Sequence, residues 1–148
     1  MISVNIENLS RVRALFESVL KRSVNPNTAL EVIATKGWKD VIEHFRDESG
    51  PDGKWKALKH TRASGGNRIL QDTGRLRLAQ RWRTVGYDEA HIFTQIKYAA
   101  IHNYGGTVKT KSGKSFEMPQ RKFLWISDKA KLSMIKTLMR WIAEGRVN

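Results

Sequence analysis

Helical periodicity at both ends of the chain, with a glycine- and proline-punctuated middle between them, is the feature that most narrows the folds open to it. Near the start, Leu9, Val12, Phe16 and Val19 recur at helical spacing while Arg11, Arg13, Glu17 and Lys21 fall between them, which predicts an amphipathic helix. Pro26 interrupts it, and Thr28 with Glu31 three residues later has the form of a capping box opening a second helix. The inner stripe of that helix is Leu30, Ile33, Ala34, Gly37, Val41 and Phe45. At the far end, Leu132, Ile135, Leu138, Met139 and Ile142 form the apolar stripe of a C-terminal helix. Ser127 is its expected N-cap, Asp128 stands at the positive end of its dipole, and Gly145 is its stop.

The middle is built differently. Gly50, Pro51 and the Asp52-Gly53 pair force a turn within "DESGPDG", and "KWKALKHTRASGGNR" after it reads as an extended or irregular arm. A turn or short helix is expected near Asp72 to Leu78, followed by two strands. Val85 and Tyr87 lead into a polar turn at Asp88 and Glu89, and His91 to Thr94 with Ile96 have strand chemistry. "TVKTKSGKSFEMP" suits a second hairpin with a basic tip at Ser112-Gly113. Helices, then strands, then a helix predict an α+β fold: a small antiparallel sheet packed by N-terminal helices and a C-terminal helix. At 148 residues, one domain over 1–148 is expected.

Charge narrows the partners. Lys and Arg number 27 against 14 Asp and Glu, a net charge of +13, which attracts DNA, RNA, anionic lipid or an acidic protein surface without choosing among them. There is no cysteine, which removes disulfides, thiolate metal sites and cysteine nucleophiles. No apolar run approaches the ~18 residues that span a bilayer, so a soluble intracellular protein with no membrane partner is expected.

Catalytic motifs find little support. "SGKS" at 112–115 resembles the end of a phosphate-binding loop, but the glycine that loop needs is replaced by Val108, and Pro119 follows where a helix should open. His44, His60, His91 and His102 show no metal-ligand spacing, no G-x-S-x-G elbow is present, and the carboxylates at Asp47, Glu48 and Asp52 fit a solvated turn. No catalytic residue, cofactor or metal ligand is therefore assigned. Nucleic-acid binding is the alternative function, because "KWKALKHTR" and "RLRLAQRWR" interleave cations with Trp55 and Trp82. "YAAIHNYGG", residues 98–106, poses the sharpest choice between catalysis and architecture, since a histidine and two tyrosines stand beside a glycine pair.

Four segments in order, "DESGPDGKWKALKHT", "ILQDTGRLR", "YAAIHNYGG" and "MPQRKFLWIS", resemble the virion morphogenesis (tail completion) family of Mu-like and related tailed phages. The matching positions are Pro51, Gly53, Trp55, Leu58 and Thr61; Leu70, Thr73, Gly74 and Leu76; Tyr98, Ala99, His102, Tyr104, Gly105 and Gly106; and Pro119, Arg121 and Phe123. Phenylalanine is the more usual residue where Tyr104 stands. The resemblance implies a structural, non-enzymatic protein of tail completion or head-tail joining, similar in fold to neck and tail-terminator proteins. It also implies a ring of copies, commonly six, which can wait for a tail, neck or portal partner before forming, and a location in the host cytoplasm and then in the virion. On that reading Tyr98 to Tyr104 is a short helical segment with packed aromatics, His102 is a structural histidine bonded to backbone, and Gly105-Gly106 reverses the chain. Arg121 is able to fork onto a carboxylate, and Phe123 with Trp125 anchors the last helix. Trp55, Thr61, Gly74 and the Tyr98, Pro119 and Arg121 groups are candidate interface positions. Lys109, Lys111 and Lys114 are candidates for a ring lumen or rim that meets an acidic partner or makes non-specific contact with DNA.

Overall fold

The computed structural model describes residues 9–59 and 66–147, with the side chain of Leu9 excepted. In chain order the elements are α1 (Leu9–Val24), α2 (Asn27–Asp47), β1 (Ser49–Gly50), β2 (Gly53–Lys54), α3 (Arg75–Leu78), β3 (Arg81–Val85), β4 (Glu89–Phe93), α4 (Ala99–Tyr104), β5 (Gly106–Lys109), β6 (Ser115–Met118) and α5 (Asp128–Glu144). The fold is α+β. Among the described residues its strands make three separate antiparallel pairs, β1-β2, β3-β4 and β5-β6, rather than joining in one sheet.

α2 is the central element, and its apolar stripe explains why: Leu30, Ala34, Gly37, Val41 and Phe45 all lie on its buried face. The β3-β4 hairpin and α5 both pack against it. In the hairpin, Trp82 pairs with Ile92 and Thr84 with Ala90 on the half-buried face, while Arg81, Arg83, Val85, Glu89 and His91 point outward. Gly37 allows the close approach: a Cβ there would stand 2.6 Å from Ile92 Cδ1 and 2.8 Å from Met134 Cε. Val41, Phe45, Trp55, Ile69, Leu76, Ala99 and Phe123 form the core cluster.

The N-terminal boundary of α2 differs from the capping-box expectation. Its carbonyl-to-amide ladder begins at Pro26, whose C=O accepts from Leu30 N–H at 2.9 Å, so Thr28 already lies inside the first turn and no side chain caps the helix. At the other end Glu48 takes the left-handed conformation, φ 50° and ψ 44°, and its N–H bonds the His44 carbonyl. α5 starts as expected, with Ser127 Oγ accepting from Ala130 N–H, and stops at Gly145, φ 73°.

Candidate assembly surface

The family-like segments converge on one structural joint. Pro119 leads an extended stretch beneath α2, in which Phe123 is 1% exposed and packs its ring 5.0 Å from that of Phe45. Trp55 stands edge-on to Phe45 at 5.8 Å and donates its indole N–H to the Lys122 carbonyl at 3.1 Å. Arg121, buried, donates through Nε and Nη2 to the Lys56 carbonyl at 3.1 and 3.0 Å. Its fork thus closes on the main chain and ties the arm after β2 to the segment before α5.

Several residues that complete the joint carry no motif. Asn103, buried in α4, accepts with Oδ1 from the N–H groups of both Phe123 and Leu124, at 3.1 and 3.0 Å. Asp40 accepts from Ser127 N–H at 2.7 Å and from its hydroxyl at 2.6 Å, fixing the start of α5 against α2. His44 donates through Nδ1 to the Phe123 carbonyl at 3.0 Å, stacks on Trp125 at 4.4 Å, and holds Nε2 at 3.5 Å from Asp40 Oδ2. Glu48 accepts from Ile69 N–H at 2.8 Å through its carboxylate and from Trp55 N–H at 2.8 Å through its carbonyl. The sequence signal for three of them is their spacing: Asp40, His44 and Glu48 recur four apart along α2 and at its C-cap, on the face next to the stripe.

The "YAAIHNYGG" segment is a one-and-a-half-turn helix followed by the glycine reversal, Gly105 at φ 73° and Gly106 at φ 129°. A Cβ on Gly105 would meet Gln120 N at 2.9 Å and Met118 O at 3.1 Å, so the hairpin can fold back only over glycine. His102 does not bond backbone through its inner ring nitrogen as expected: Nδ1 is buried with no hydrogen-bond partner among the described residues, and it is the His102 carbonyl that accepts, from Arg121 N–H at 2.8 Å. Burial and the neighbouring Arg121 charge push the imidazole below its ordinary value, which keeps it neutral. The aromatics also part ways: Tyr98 meets His102 edge-on at 5.8 Å, while Tyr104 is 70% exposed and packs on nothing in the core. Tyr98 and His102 line an open recess of about 320 Å³ with Leu70, Asp72, Thr73 and Leu76. Gly74, left-handed at φ 69°, opens α3 beside it, and Thr61 lies outside the described residues.

Outside the joint the surface has two characters. Lys109, Lys111 and Lys114 stand exposed along β5-β6, a hairpin whose residues from Thr107 to Glu117 are all exposed except Val108. The second character is apolar. On α1, Val12, Phe16, Leu20 and Val24 follow one another four apart and are all exposed, Phe16 at 64%. On α5 the expected stripe turns out to be divided: Ala130 and Thr137 are the buried positions facing α2, and Leu132, Ile135 and Met139 face outward, Met139 at 65%. Arg22 joins the two helices by donating to the Ile142 and Ala143 carbonyls at the end of α5, at 2.9 and 3.0 Å.

Trp55 belongs to the core at 7% exposed, so its ring is not a platform for bases. Among the described residues no cluster of histidine and carboxylate side chains could hold a metal ion, and no helix is long and apolar enough to cross a membrane. No solved structure gives a significant match to the chain. A protein of Haemophilus influenzae, Mu-like prophage FluMu G protein 2, is 26% identical over 138 residues, 93% of this chain and 94% of that protein. A model of the phage virion morphogenesis family matches residues 7–143. The chain belongs to that family, and its role lies in the structure and assembly of a phage particle.

Proposed function

We propose that this chain acts in tail completion or head-tail joining as a structural subunit that works by fitting its surfaces against copies of itself and other virion components, and that it makes and breaks no covalent bond. The observation that carries the reading is the uncovered apolar surface of α1 and α5, where Val12, Leu15, Phe16, Leu20 and Val24 on one helix and Leu132, Ile135 and Met139 on the other stand exposed. Contiguous apolar exposure of this kind marks surfaces that are covered in an assembly. The buried histidine, arginine and asparagine of the joint support the same reading, because their hydrogen bonds hold segments together.

Deleting the gene from a phage that carries it, and viewing the lysate by negative-stain electron microscopy, tests the proposal. Unjoined heads and tails, or tails of abnormal ends, are expected, with normal particles restored by the chain supplied in trans. Normal particles from the deletion itself would overturn it.

A further inference from the structure

We infer that the outward face of α5 is the seat for an acidic amphipathic helix of a different virion protein; the inference rests on the assembly role proposed above. Leu132, Ile135 and Met139 lie on one face of α5, and Lys129, Lys136 and Arg140 run beside them along one edge. Among the described residues none of these three cations forms an ion pair, whereas Lys131 on the opposite edge is paired with Asp128 at 2.8 Å. The other face of the helix is locked onto α2, partly through Lys36, which donates to the hydroxyls of Ser133 and Thr137. The outward face is therefore presented on a fixed support. It spans about 10 Å from Leu132 to Met139, the length of two turns of a partner helix.

Charge selects the occupant. A second copy of this chain could offer the α1 stripe, but that helix carries Arg11, Arg13, Lys21 and Arg22 against Glu17 alone, and the Arg13 guanidinium is already paired with that glutamate at 3.0 Å. Like charge across such a contact opposes it, and with a net charge of +13 the opposition extends to the whole molecule. A nucleic acid would satisfy the cations and leave the apolar row uncovered. A helix with aliphatic residues on one face and carboxylates beside them satisfies both rows at once. Self-repulsion between free copies, relieved when an acidic partner neutralises the face, also explains how a ring could be withheld until that partner is present.

The test uses the full chain and two labelled synthetic helical peptides, one with leucine on one face flanked by glutamate, the other with lysine in place of glutamate. Fluorescence anisotropy should show the glutamate peptide binding at least about tenfold more tightly, with the advantage shrinking as salt rises. Ile135→Asp, at an exposed position, should abolish binding, and the triple exchange Lys129→Glu, Lys136→Glu, Arg140→Glu should reverse the preference towards the lysine peptide. Circular dichroism confirms that each variant remains folded. Equal affinity for the two peptides, or a triple variant that does not switch, overturns the inference. So does sedimentation showing a self-associated chain that Ile135→Asp dissociates, or tighter Ile135-dependent binding to phosphatidylserine vesicles than to the glutamate peptide. If Ile135→Asp supports normal particles in the deletion phage, this inference fails while the assembly role stands; if the deletion itself yields normal particles, the role fails.

Discussion

Gly105 shows how much of the fold can rest on a missing side chain. Its φ of 73° is left-handed, and the atoms that a Cβ would strike, Gln120 N at 2.9 Å and Met118 O at 3.1 Å, are main chain and cannot rotate away. Gly105→Ala should therefore lower stability by about 1–3 kcal/mol, read as a fall in the urea midpoint with little change in slope. Gly113→Ala, also at positive φ but with nothing within 4 Å, should cost less. His102 makes a pH prediction. Its imidazole titrates below the ordinary 6.5 in the folded chain because it is half-buried and stands beside Arg121, so the unfolded state binds more protons as pH falls below that value. Stability should be full above about pH 6.5 and decline as pH falls towards the folded value, and His102→Gln should flatten that decline in pH-dependent urea titrations. Residues of this kind differ in how readable they are. Gly105 and Phe123 announce themselves by type, one as a reversal and the other as an anchor. Asn103 and Asp40 do not, because each works on a partner distant in the chain, Phe123 and Leu124 for one and Ser127 for the other.

Among the elements, periodicity told where helices form but not what lies against them. The α2 stripe was legible as core, and Leu30, Ala34, Val41 and Phe45 are buried. The stripes of α1 and α5 have the same spacing, yet Phe16, Leu132 and Met139 face outward, since an apolar face is recorded identically whether its cover comes from the same chain or another. The α2 start moved because Pro26 itself supplies the first carbonyl, which left the Thr28 and Glu31 pattern without a capping task. The β3-β4 and β5-β6 hairpins were legible from alternation and turn residues, whereas β1-β2 was legible only as a turn, and the separation of the pairs was not legible, because pairing partners beyond a hairpin leave no local signal. These contrasts are measurable. Phe16→Ser should change the stability of the isolated chain by no more than about 0.5 kcal/mol, as an exposed substitution, whereas Phe45→Ala should cost about 3–5 kcal/mol. A large loss for Phe16→Ser in dilute solution would mean that α1 is covered within the isolated chain.

For the molecule as a whole, the proposed assembly role joins the +13 charge to the uncovered apolar rows: the charge would keep free copies apart, and the rows would gain cover from virion partners. The lysines of the β5-β6 hairpin belong to this scale. Replacing Lys109, Lys111 and Lys114 together by glutamine should leave the thermal midpoint nearly unchanged, since all three are exposed, while lowering the yield of joined particles in a head-tail joining assay. An unchanged phage titre would remove those lysines from the assembly surface. The most direct check of the central claim is native mass spectrometry of the chain mixed with purified tails or neck components from its phage. A closed ring of copies bound to the partner, absent from the chain alone at low salt, is the predicted result. A chain that stays monomeric with every virion component, and instead binds duplex DNA with an affinity falling steeply as salt rises, would contradict it.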